Sequence, residues 1–183
     1  MAPGYESASS QGRTEVADDF WRWISAPASD FRSGFDGILG GYLWLGKTEA
    51  LARLESRYLD DPRPRTGDLR HLLTAMRVYH DYARDVAPEE FMRVYRRFLN
   101  FPAVAALAVA DLCRWQDWQS VDRVASLFAE RGYDDPATDR AVIDYLLACP
   151  LAEATRHLAR LKKLFPDRVA AAEGMESSTS SGK

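Results

Sequence analysis

Cysteine, histidine and lysine are scarce in this chain of 183 residues. The two cysteines, Cys113 and Cys149, stand apart among apolar neighbours and form no Cys-x-x-Cys pair. That spacing argues against a disulfide framework or a structural zinc site, and both read as small buried hydrophobes. His71, His80 and His157 are too scattered for a metal motif such as His-Glu-x-x-His. Neither a metal nor a cofactor is expected. Gly-x-Ser-x-Gly, the glycine-rich phosphate loop and the dinucleotide fingerprint are all missing. His80-Asp81 with Asp85 reads as a surface histidine beside carboxylates, because acid–base catalysis needs converging partners. No catalytic residue is assigned, and a non-enzyme is expected.

A large net charge is also missing, with 24 Lys and Arg against 27 Asp and Glu. The net charge of −3 provides no bulk attraction to nucleic acid or anionic lipid. Lysine occurs only at 47, 162, 163 and 183, so arginine supplies most of the positive charge, which reads as a compositional habit. The longest uncharged apolar run, Phe98 to Ala110, is broken by Pro102 and is well short of the roughly 20 residues a membrane helix needs. Residues 1–14 contain no apolar stretch of the signal-peptide kind. A cytoplasmic protein with no membrane partner is the expectation.

Strand signals are missing as well: no alternating β-branched run, no Asn-Gly and no Asp-Gly. What is present is apolar spacing of three and four. Leu69, Leu72, Leu73, Met76, Tyr79 and Ala83 make one stripe, and Phe91, Val94, Tyr95 and Phe98 the next. Val121, Val124, Ala125 and Phe128 follow, then Val142, Ile143, Leu146 and Leu147, then Leu158, Leu161, Leu164 and Phe165. Pro88, Pro102, Pro136 and Pro150 precede stripes, as befits a residue whose missing N–H is harmless in a first helical turn. Asp135 is a good N-cap, with Asp117 and Thr66 as further caps. These signals predict helices near 15–25, 35–46, 48–60, 67–85, 88–100, 102–115, 118–132, 136–149 and 150–165. The expected organisation is one helical-repeat domain over 15–172, with disordered tails at 1–14 and 173–183.

A repeat is visible. Pro102 and Pro136 lie 34 residues apart, and at that offset Val109 falls on Ile143, Leu112 on Leu146, and Leu127 on Leu161. At 33, Met76 falls on Val109, Tyr79 on Leu112, Phe91 on Val124 and Tyr95 on Phe128. This is the period of a helix-hairpin solenoid. The stretch Asp135-Pro136-Ala137-Thr138-Asp139-Arg140-Ala141-Val142 resembles the start of a HEAT-type repeat, Asp-Pro-x-Val-Arg-Arg-Ala. Asp135, Pro136, Arg140 and Ala141 agree with that pattern, Thr138 stands where the family favours Val, and Asp139 replaces an Arg. The resemblance is clear over 102–165, faint over 67–100 and absent at both ends. It implies a right-handed α–α superhelix of about four hairpins. The tetratricopeptide family has a similar period, but its Trp-x-x-Leu-Gly-x-x-Tyr core is not found; Gly40-Gly41-Tyr42-Leu43-Trp44 is a loose echo.

Solenoid surfaces typically bind proteins or peptides, so a non-catalytic interaction module is the leading expectation. Tyr79, Tyr82, Arg93, Arg97, Trp115 and Trp118 are the candidate contact residues. Arg93 and Arg97 sit one turn apart, a spacing suited to phosphate or an acidic peptide. Trp44, Trp115 and Trp118 are placed at hairpin ends, and Phe20, Trp23 and Ile24 on one face of the first helix. Gly40 and Gly41 inside an apolar helix point to a close crossing or a break. The second reading is a nucleic-acid binder using Arg93–Arg97 and the face of Arg156, Arg160 and Lys163, since some HEAT-like proteins resemble DNA glycosylases in architecture. The third is a small-molecule enzyme with an interhelical pocket.

Overall fold

A computed structural model describes the backbone of residues 4–26, 32–83 and 85–174, with side chains from residue 12 onward. The described residues form nine α-helices and no strand, so the fold class is all-α. Among them, no helix is long and apolar enough to cross a membrane. The chain divides into two compact units, Met1–Tyr95 and Arg96–Lys183.

The first unit contains α1 (Gly4–Ser25), α2 (Phe35–Leu54), a π-type turn at Glu55–Leu59, α3 (Thr66–Tyr82) and α4 (Pro88–Arg96). Helix α1 begins eleven residues ahead of the expected domain start at residue 15, so residues 4–14 are helical. It packs on α2, and α2 on α3. Gly41 explains how α1 approaches so closely: a Cβ there would stand 2.6 Å from Phe20 Cε2. Gly40 faces open space. The buried face of α1 differs by one residue from the expected one. Ile24 is buried, but Trp23 points outward and Trp21 takes its place against Tyr42, with Arg53 over the indole at 4.0 Å. Leu39, Leu43, Leu51, Leu54, Leu69, Leu72, Leu73 and Met76 fill the core between α2 and α3.

The predicted division of residues 35–60 into two helices falls on a real irregularity. Lys47, at φ 50 and ψ −125, interrupts the helical backbone of α2. That conformation suits glycine and strains a residue with a Cβ. Thr66 is the first residue of α3 rather than its cap; the capping position is held by Arg65, whose side chain does not cap the helix.

The second unit comprises a 3-10 turn at Arg97–Asn100, α5 (Pro102–Arg114), a 3-10 turn at Trp118–Ser120, α6 (Val121–Leu127), α7 (Pro136–Ala148), α8 (Ala152–Leu164) and α9 (Pro166–Gly174). Helix α7 packs on both α5 and α9, α6 packs on α8, and the hairpin neighbours α6–α7, α7–α8 and α8–α9 also touch. The Asp135 carboxylate caps α7 as expected, accepting the amides of Ala137 and Thr138 at 3.0 Å. Helix α6 is shorter than the predicted 118–132, ending before the turn at Gly132, whose φ is 94. Helix α9 was not foreseen, although Pro166 starts it by the same device as Pro102 and Pro136. Residues 175–183 of the expected tail lie outside the described residues.

Arginine proves to be a structural tie. Arg96 forks onto Asp117 (Nε–Oδ2 2.9 Å, Nη2–Oδ1 2.5 Å), so this nearly buried carboxylate holds a guanidinium instead of capping backbone amides. The Ser120 hydroxyl donates to it as well, at 2.8 Å, and the Tyr145 hydroxyl donates to the Asp117 carbonyl at 2.5 Å. Arg168 forks onto Asp139 in the same way while lying over Phe128. Planar bidentate pairing of this kind fixes orientation as well as charge.

Candidate functional site

The last turn of α3, the connection after it and the first turns of α4 enclose a cleft of about 260 Å³. Tyr79, His80, Ala83, Val86, Pro88, Phe91 and Met92 line it. Helix α3 ends at Tyr82, Ala83 is already extended, and Pro88 opens α4, so the chain reverses here within a few residues. Phe91 stacks on Tyr79 at 5.9 Å between centroids and on Tyr95 at 6.1 Å, while the His80 ring leans on Phe91 at 5.7 Å. The lining is therefore a ladder of rings with an apolar floor.

Around the cleft the chain exposes what it normally hides. Trp44 meets Tyr79 edge-on at 6.3 Å and is nevertheless 50% exposed. Tyr82 is 76% exposed, and Val78, one turn before it, is 49% exposed. Lys47 places its ammonium 3.6 Å from Asp85, which joins the strained residue of α2 to the connection that follows α3. Backbone strain of this sort costs about 1–3 kcal/mol and tends to collect at functional sites.

Tyr79 itself is 3% exposed, and its hydroxyl has no hydrogen-bond partner among the described residues. Burial, with a smaller contribution from Asp85, pushes that hydroxyl above the usual tyrosine range, so it stays protonated at neutral pH. It is a ring of the wall with an unsatisfied oxygen.

The six expected contact residues divide three and three between the units. Tyr79 lines the cleft, and Tyr82 is the exposed residue immediately before the lining Ala83. Arg93 is held by Glu55 in a bidentate pair, both bonds 2.7 Å, so its fork already carries a carboxylate. In the second unit Arg97 is half-buried in the 3-10 turn that follows α4. Trp115 and Trp118 are half-buried at the turn after α5, where Trp118 packs edge-on against Tyr145 at 5.2 Å. Trp44, Val78, Phe91 and Met92 were not among the expected contacts. Trp44 had been placed at a hairpin end, but it lies within α2 and looks outward.

Other hollows carry more charge. One between α1 and α2, of about 320 Å³, is bordered by Arg13, Asp18, Glu49 and Arg53. Another, of about 350 Å³, at the start of α3, brings His71 Nδ1 within 3.4 Å of Asp36. Among the described residues no group of three or more His, Cys, Asp or Glu side chains is arranged to hold a metal ion. Both cysteines are free thiols; burial raises Cys113 above its ordinary value, with Asp144 and Cys149 adding to it.

No family model, curated protein or solved structure matches this chain.

Proposed function

We propose that this chain is a non-catalytic, HEAT-like helical-repeat module that binds a protein or peptide segment at the α3–α4 cleft. One observation carries the reading: Trp44, which meets the cleft's Tyr79, and Tyr82, the chain neighbour of the cleft's Ala83, both remain exposed. Large rings grouped around a concave surface mark interfaces rather than idle surface, because anchoring side chains there lose water on both partners. Single exposed leucines elsewhere, such as Leu107, need no such explanation.

The repeat part of the reading draws on contact order in the second unit. Packing of α5 on α7, α7 on α9 and α6 on α8 is the two-row pattern a stack of hairpins produces. At the 33-residue offset Met76, Val109, Tyr79, Leu112, Phe91, Val124, Tyr95 and Phe128 are all buried. At the 34-residue offset, where the buried Ala125 falls on Ala159, the match weakens on α8, because Ala159 is exposed. The step from a right-handed superhelix to partner binding is fold-level analogy. Free thiols and the absence of a membrane-crossing helix among the described residues agree with a cytoplasmic setting. Nucleic acid stays the second reading, weakened because Arg93 serves Glu55 and Arg156 serves Glu153.

The experiment is a comparative capture from cell extract by the intact chain, by Trp44→Ala/Tyr82→Ala, and by Arg93→Ala/Arg97→Ala. The reading expects proteins that the intact chain retains and the aromatic variant loses. Identical protein sets on all three baits would refute it.

A further inference from the structure

We propose that the hollow between α1 and α2 binds a free α-amino acid with an apolar side chain, its carboxylate at Arg53 and its ammonium at Asp18 and Glu49. This hollow shares no lining residue with the α3–α4 cleft, and the inference does not rest on the peptide-binding reading.

Arg53 is the starting point. Arg93, Arg96, Arg123 and Arg168 are each paired with a carboxylate. Arg53 instead lies over the Trp21 indole at 4.0 Å and donates to the Tyr42 hydroxyl. It pairs with no carboxylate among the described residues, although Glu49 precedes it by four residues, the spacing at which helical ion pairs form. A guanidinium has five N–H donors in a rigid fork, so the indole fixes its position while donors remain for an incoming carboxylate. The break in α2 builds this arrangement. In a straight helix, residues 42 and 53 would stand about 16 Å apart. Lys47 interrupts the helix between them, and Arg53 Cζ comes to 5.9 Å from the Tyr42 ring centroid.

Charge balance decides what the hollow accepts. Asp18, from α1, and Glu49, from α2, both line it and are exposed. Neither forms an ion pair among the described residues. The Tyr42 hydroxyl marks where the groups converge, since Arg53, Glu49 and Asp18 all act on it electrostatically. With Arg13, two positive and two negative side chains line the hollow. A simple anion or cation meets repulsion as well as attraction there, whereas a zwitterion meets a partner for each of its charges. Size and lining agree. About 320 Å³ falls within the roughly 300–1,000 Å³ usual for small-molecule sites, and Ala17, Leu45 and Ala50 offer carbon to a side chain.

The test is amide NMR of the isotope-labelled full chain, titrated with L-valine, L-leucine, L-methionine and L-phenylalanine. The inference expects at least one of them to shift residues 13–18 and 42–53 in the millimolar range or below. For that ligand, the matching amine without a carboxylate and the matching acid without an amine should bind at least about tenfold more weakly. Asp18→Asn/Glu49→Gln turns two exposed carboxylates into amides of the same shape, so the fold should persist, which circular dichroism checks. It should weaken the amino acid at least about tenfold, while the acid without an amine binds no worse. No shift at these residues with any of the four, analogues that bind as well as the amino acid, or undiminished binding to the double variant overturns the inference.

Discussion

Replacing Tyr79 by phenylalanine deletes one oxygen from the wall of the cleft and leaves every ring contact in place. The stack on Phe91 and the edge contact with Trp44 depend on the six-membered ring, not on the hydroxyl. That hydroxyl is shut away from water and has no partner among the described residues. An unsatisfied buried polar group costs about 1–3 kcal/mol, so its removal should stabilise the chain by about that amount. For a chain of this size each kcal/mol raises Tm by about 2–4 °C. Tyr145→Phe is the internal control, because the Tyr145 hydroxyl donates to the Asp117 carbonyl at 2.5 Å. Losing that bond should cost about 0.5–1.5 kcal/mol. The same chemical change thus has opposite signs at two buried tyrosines. Urea titration followed by circular dichroism reads both, with an unchanged m-value confirming that stability alone has moved. Destabilisation by Tyr79→Phe comparable to that by Tyr145→Phe would refute the reasoning, since it would mean that the Tyr79 oxygen is satisfied.

Other outcomes follow from the same contacts. Arg96→Met strips the guanidinium from the nearly buried Asp117 carboxylate and should cost about 3 kcal/mol, while Arg96→Met/Asp117→Leu should recover most of it; a change within about 0.5 kcal/mol for the single variant would reduce the clamp to an ordinary surface pair. Gly40→Ala, facing open space, should gain up to about 1 kcal/mol in thermal or urea unfolding. Gly41→Ala should instead lose about 1–3 kcal/mol by driving α1 off α2, and equal effects at the two positions would contradict the close crossing. Burial raises the hydroxyl pKa of Tyr42, Tyr58, Tyr79, Tyr133 and Tyr145. The unfolded chain therefore releases these protons first, so stability should hold up to about pH 9 and fall above about pH 10; urea midpoints that rise with pH in that window would reverse the sign.

The helices were readable because their signals are local. Pro102 and Pro136 sit at the first helical position, Asp135 caps α7, and the break at Lys47 follows Gly46 where the predicted helices part. Gly41 announced a close crossing, and Phe20 fills it. The misses share a cause: each depends on what a distant residue does. Asp117 looks like a cap until Arg96, 21 residues away, takes its carboxylate. Arg93 looks available for phosphate until Glu55, 38 residues away, occupies it. Trp21 and Trp23 are two residues apart, and only the position of Tyr42 decides which turns inward. Tyr79 and Tyr82 were picked from the sequence, yet the exposed Trp44 that meets Tyr79 comes from another helix. Periodicity says which residues are apolar on one side of a helix; it does not say which apolar residues lack a neighbour to cover them.

The direct measurement is a titration of the isotope-labelled full chain with indole, an isolated aromatic anchor, followed by two-dimensional amide NMR in the millimolar range. The account predicts shifts concentrated at Tyr79–Ala83 and Asp85–Met92 and at the Trp44 indole N–H, with Trp115 and Trp118 unmoved. Shifts centred on the second unit, or none at these residues, would contradict it.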